Sequence, residues 1–185
     1  MACDLSAGRA LPCKDVVGGI KAVYFANFGA FGNFTVDSDS VITDFVNTSV
    51  PIYKYDVKGE NSFEQTVNSS RATGTTFYEQ TLTITLTELT KEDNVQLKKL
   101  AYGRPQVTVV DYNGNAFMMA KKYGADASGG TIGTGTAMGD LSGYTMTLVA
   151  QETLPANFIN QTGANPTANN PFANMISGTV EIIKT

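Results

Sequence analysis

Histidine and tryptophan are absent from this chain. Without histidine it lacks the commonest general base and metal ligand, and the side chain that most readily changes charge near neutral pH. A serine nucleophile would need lysine as its base, and no Ser-x-x-Lys occurs. Cysteine is confined to Cys3 and Cys13. Two cysteines do not make a disulfide framework, so they read as free thiols in a reducing cytosol, with a local bridge as the alternative.

Charge is scarce too. Charged residues make up 16% of the chain, against roughly 25% in an average soluble protein. Thirteen Lys and Arg face seventeen Asp and Glu, giving a net charge of −4 and a pI near 4.8. Tight nucleic-acid binding needs a basic surface, so this balance argues against it. A mildly acidic wall that nucleic acid slides past is compatible with it. No apolar run approaches the roughly 18 residues of a membrane span, and the first residues lack the apolar core of a secretion signal. The expectation is a protein made in the cytoplasm, without a membrane anchor and soluble until it assembles.

What the chain does have is alternation. From Thr81 to Thr87, Leu82, Ile84 and Leu86 fall on one side of an extended chain and four threonines on the other. A period of two marks a strand with one buried and one wet face. Threonine is β-branched, so even the wet face favours a strand. Residues 62–71, joined through Ala72-Thr73-Gly74, read as the antiparallel partner of 75–87 in a long hairpin. Its neutral polar side chains cannot enter an ordinary core, where each unpaired group would cost about 1–3 kcal/mol. They must face water or an interface.

Along the rest of the chain, residues 1–17 lack periodicity and read as an extended arm. Residues 18–185 read as a single β domain. Strands are expected over 20–28, 41–46, 50–57, 106–112, 115–121 and 143–152, with 33–36 a short return partner of the first. Residues 176–183 are expected to close the sheet. One helix is expected over about 90–102: Thr90 can cap it, Glu92 and Asp93 open it, and Lys98 and Lys99 fall late. Asn113-Gly114 is a hairpin turn. Residues 124–140 are poor in bulk and rich in glycine, and read as a loop or a bulged strand. Residues 159–175 form a long Asn/Pro-rich loop. The fold class is thus mainly β: an antiparallel sandwich or barrel-like domain with a long hairpin and one flanking helix.

Motifs for chemistry are missing. The glycine-rich run lacks the Gly-Lys-Ser/Thr ending of a phosphate loop. Asp111, Asp140 and Glu152 do not have the spacing of a calcium loop. Neither they nor the other acids present a convincing acid–base pair. The Asn-x-Ser/Thr triplets at Asn47, Asn68 and Asn160 are chance matches in a Ser/Thr-rich chain. Tyr24, Phe25, Phe28, Phe31 and Phe34 are spaced as core residues, not as a stacking platform interleaved with bases. No enzyme, cofactor or metal is expected.

One region carries a resemblance. A strand ending Asp-x-Asn-Gly (Asp111 to Gly114) leads to an apolar return strand. A Gly/Ala/Thr-rich loop follows, then GTAMGDLSGY (Gly135 to Tyr144) and an alternating strand ending Gln151-Glu152. This layout resembles virion structural proteins of tailed bacteriophages, above all tail tube proteins. The opening Leu11-Pro12-Cys13-Lys14-Asp15 before Gly18-Gly19 is similar to phage structural proteins as well. The resemblance implies a subunit of the virion that forms hexameric rings. These stack into a tube whose inner wall is one barrel of neighbouring sheets, and DNA passes through it. The partners implied are further copies of the chain and other tail or neck proteins. A capsid decoration, collar or head–tail joining protein is the alternative. On this reading Thr81, Thr83, Thr85 and Thr87 line the channel, with Glu64, Gln65 and Glu79 beside them. Leu5, Arg9 and Leu11 belong to an arm that touches a neighbouring subunit.

Overall fold

The computed structural model describes residues 7–11, 13–160 and 170–184. Leu5, Cys3 and residues 161–169 of the Asn/Pro-rich loop lie outside these. The architecture is mainly β, sandwich-like and without a closed barrel.

The elements run in chain order: β1 (Ile20–Ala26), β2 (Phe34–Val36), β3 (Ile42–Phe45), β4 (Val50–Asp56), β5 (Ser62–Ser70), β6 (Thr75–Thr87) and α1 (Lys91–Tyr102). After the helix come β7 (Gln106–Asp111), β8 (Ala116–Met119), β9 (Asp126–Gly133), β10 (Gly143–Glu152), β11 (Asn157–Phe158) and β12 (Val180–Ile183). Six strands form one sheet in the order β11-β8-β7-β1-β4-β12. Four form a second, β5-β6-β10-β9. The short β2 and β3 pair with each other.

The six-stranded sheet is covered on both faces. On one side Val23 and Phe25 of β1, with Val107 and Val109 of β7, pack against Leu82 and Ile84 of β6 and Leu148 of β10. This is the core between the two sheets. On the other side Ala22 and Tyr24 meet Phe31, Ile42, Phe45 and Phe172. There the Phe31 ring lies 5.1 Å from both Phe45 and Phe172. A strand buried on both faces has no polar side to show, which is why IKAVYFA reads as a nearly unbroken apolar run. A register shift between Ile20 and Ala22 places Ile20 in the first core, although strict alternation would send it to the second.

Several expectations are met closely. The β5–β6 hairpin pairs Ser62 with Thr83 through Ser70 with Thr75, and Gly74 takes the left-handed conformation its turn demands, at φ +66. In α1 the Thr90 hydroxyl accepts the N–H of Asp93 at 3.0 Å. Acids occupy the first turn, Lys99 the last, and Leu97 is buried. Gly103 ends the helix by donating to the Lys99 carbonyl.

Others are corrected. β2 pairs with β3, not with the first strand, because their phenylalanines cover the second core. Of the two readings of the glycine-rich stretch, the bulged strand holds over part of it: residues 126–133 form β9, an edge strand with an irregularity beside Ser128, and Gly130 lets it lie close against β10. A Cβ on Gly130 would sit 2.6 Å from the Thr145 carbonyl oxygen. The last strand does not close the sheet. β12 begins at Val180 and runs parallel to β4 along its outer side.

Candidate functional site

The candidate site is the outer face of the four-stranded sheet. Residues directly opposite each other on paired strands share a face, so the register defines it. Thr83 pairs with Ser62 and Thr147, Thr85 with Thr145, and Thr145 with Thr131. Thr81 pairs with Glu64 and Val149, and Glu79 with Thr66 and Gln151. Thr87 stands opposite Gly143 at the end of the sheet. Across this surface the residues are Thr, Ser, Asn, Gln, Glu, Gly and one each of Asp, Phe and Val. No Lys or Arg of the four strands occurs in it.

The hydroxyls interact laterally. Thr83 and Thr147 approach to 3.4 Å, Oγ1 to Oγ1, and Thr131 bonds to Thr145. Gln151 donates to the Glu79 carboxylate at 3.4 Å. At the edge, Thr85 is fixed by its N–H to Asn61 Oδ1, 2.8 Å, and by its hydroxyl to the Glu60 carbonyl, 3.2 Å. The result is an ordered, weakly acidic, hydroxyl-bearing surface on a rigid backing, because Leu82 and Ile84 alternate with these threonines into the core.

Six of the seven expected wall residues come together here: Glu64, Glu79, Thr81, Thr83, Thr85 and Thr87. Gln65 does not join them. It stands opposite Gln80 on the inner side of the sheet, and its Oε1 accepts the N–H of Ala156 at 2.7 Å. Adjacent residues of a strand cannot share a face, so grouping Gln65 with Glu64 was incompatible with the hairpin itself. Thr145, Thr147 and Thr131 belong to the same face and were missed. The alternation of 143–152 carried the signal, since a second Thr-bearing strand must pair somewhere.

The same sheet has two open edges. β5 lies at one and β9 at the other, and among the described residues neither has a further strand beside it. Neither carries Lys or Pro, the residues that commonly guard an edge. The N-terminal arm leaves nearby. Asn113 grips Val17 from both sides, accepting its N–H at 3.0 Å and donating to its carbonyl at 2.7 Å. Beyond that grip the described residues before Val17 are exposed, including Arg9 and Leu11, the latter at 97%.

The three carboxylates considered for metal or acid–base chemistry serve separate turns. Asp111 accepts the N–H of Asn115 at 2.7 Å. Asp140 accepts those of Thr136 and Ala137, which hold its carboxyl below the usual range. Glu152 accepts those of Lys122 and Tyr123 at 2.7 and 3.0 Å. Beside it the Lys121 ammonium contacts Asn157 Oδ1, and burial pulls its pKa down against the opposing charge of Glu152. Among the described residues no group of three His, Cys, Asp or Glu could hold a metal, and no helix is long and apolar enough to cross a membrane. Phe28 departs from the expected aromatic core: it is 46% exposed, with Arg104 stacked 4.7 Å from its ring centroid.

Compared with known proteins, the chain matches no family model, no curated protein and no solved structure.

Proposed function

We propose that this chain is a structural subunit of a phage tail tube. Its four-stranded sheet is one segment of a hollow wall whose lumen passes DNA. One observation carries the reading: an ordered polar face without basic residues, on a sheet open at both edges.

The strands β5, β6, β10 and β9 alternate in direction. With four strands the two edges therefore run in opposite senses. When copies stand side by side in the same orientation, β9 of one meets β5 of the next antiparallel. Such head-to-tail pairing repeats without reversal and closes into a ring when the rotation permits. Closure satisfies the unpaired backbone groups of both edges, which otherwise invite uncontrolled association. It also turns every hydroxyl face to the same side. A lumen of Thr, Ser and Glu offers DNA no cations to release counterions against, so DNA slides and does not adhere. The arm carrying Arg9 and Leu11 extends to a neighbouring subunit.

Negative-stain microscopy of the purified protein tests the reading. Rings and stacked tubes are expected. A monomer, or a small closed oligomer that never stacks, would overturn it in favour of a capsid decoration, collar or head–tail joining role. Within assembled particles, Thr83→Lys and Thr85→Lys should impede DNA passage. Normal passage, with both positions labelled from outside the tube, would place the wall elsewhere.

A further inference from the structure

The inner side of β9 borders a groove of about 560 Å³, roofed by Leu97, Lys98, Ala101 and Tyr102 of α1 and floored by β9 and β10. Its apolar rim is uncovered: Ile132 is 65% exposed and Tyr102 84%. Between Ile132 and Ala127 the groove is lined by Gly130 and by Ser128, the extra residue of the bulge. The glycine position has no room for a side chain, because a Cβ there would strike the Thr145 carbonyl oxygen. Gly130 thus interrupts the row of side chains along the open edge, where the backbone at Thr145 comes close beneath it.

The opposite edge carries a knob. On the inner side of β5 are Phe63, Gln65, Val67 and Ser69. Phe63 already stacks on Phe117 within its own subunit, and Gln65 is bonded to Ala156. Val67 is the apolar member left over, 58% exposed.

We infer that Val67 of one copy seats over Gly130 in the groove between α1 and β9 of the next, fixing the register of the ring. This deepens the tube reading and rests on it. Only registers that keep Glu64 and Thr66 on the side of Thr131 leave the hydroxyl face continuous, because a slip of one residue turns every side chain over. Placing Val67 opposite Gly130 sets Thr66 opposite Thr131 and Asn68 opposite Gly129. Val67 then lies diagonal to Ile132, within the reach of neighbouring side chains on one sheet face. The contact joins three apolar side chains that are wet in the single subunit, and it does so beside newly formed backbone bonds. That combination gives an edge pairing its specificity.

The test uses the full chain with Cys3→Ser and Cys13→Ser. Val67→Cys and Ile132→Cys are introduced together, and a short bismaleimide is added after rings have formed. A ladder of covalent multimers ending at the ring is expected. Thr66→Cys with Ile132→Cys, one residue away but on the other face, should give none. Separately, Val67→Glu should raise the concentration needed for assembly by at least about tenfold, roughly 1.4 kcal/mol per contact. Its monomer should keep its melting temperature, because the site is exposed. Rings that form without the 67–132 ladder, or that give the 66–132 one, overturn this inference and leave the tube reading standing. Failure of the unaltered chain to form rings under any condition overturns both.

Discussion

Gln80 and Ala120 are joined across the space between the two sheets: the Gln80 side-chain oxygen accepts the Ala120 N–H at 2.9 Å. Both residues are buried. Ala120 sits at φ 58, a left-handed conformation that an alanine adopts only when its surroundings enforce it. Gln80 supplies a partner for an N–H that no strand reaches. It is also the residue at which the regular alternation of β6 gives way to a polar side chain on the inner face.

Removing that partner should be costly. Gln80→Leu keeps the bulk but strands the Ala120 N–H in the core, for a loss of about 1–3 kcal/mol. Urea denaturation of the monomer checks it. An unchanged midpoint would mean that the backbone there finds another acceptor.

The two faces of β6 should respond in opposite ways. Leu82→Ala opens a cavity in the core between the sheets and should cost about 2–5 kcal/mol. Thr83→Ala on the outer face removes one lateral hydroxyl contact and should stay within roughly 0.2–1 kcal/mol. Comparable losses at both positions would show that the outer face is already packed within the single subunit.

Asp44 should impose an acid limit. Its carboxylate accepts the N–H groups of Gly178, Ser177 and Phe45 at 2.9–3.1 Å, tying the segment before β12 to β3. The Gly178 bond leads in holding its pKa at about 2, below the ordinary 3.8, against a smaller upward push from burial. A folded pKa below the unfolded one means that the stabilisation is present above about pH 4 and disappears as pH falls through about 2. The melting temperature should therefore drop across that window. Asp44→Asn should lower it at neutral pH and flatten the acid slope. A slope identical in the two proteins would assign the acid limit to other carboxylates.

Much of the four-stranded sheet was legible because its information is local. The hairpin announces itself through Gly74 and the period of Thr81–Thr87, and α1 through Thr90 and Gly103. The six-stranded sheet is a different matter. Its order β11-β8-β7-β1-β4-β12 brings together strands far apart in sequence, and no local pattern encodes that choice. β12 joins β4 in parallel more than a hundred residues downstream. For β9 the choice between loop and bulged strand stayed open because glycine usually signals a break. Here its small size is what allows the strand to lie against Thr145. In the candidate site, the threonine face could be read from β6 alone. Its extent onto β10 and β9 needed the register.

In the proposed tube the width of the four-stranded sheet would set the bore. Strands in a sheet lie about 4.8 Å apart, so each added copy would lengthen a ring's circumference by roughly 19 Å. Six copies, the number the tail tube resemblance implies, would supply about 24 strands, more than the roughly 16–18 at which single-chain barrels already enclose an aqueous channel. Bore would then change in whole-copy increments, indifferent to the length of β5 or β9. Lengthening those strands would make the cylinder taller and leave its aperture as it was.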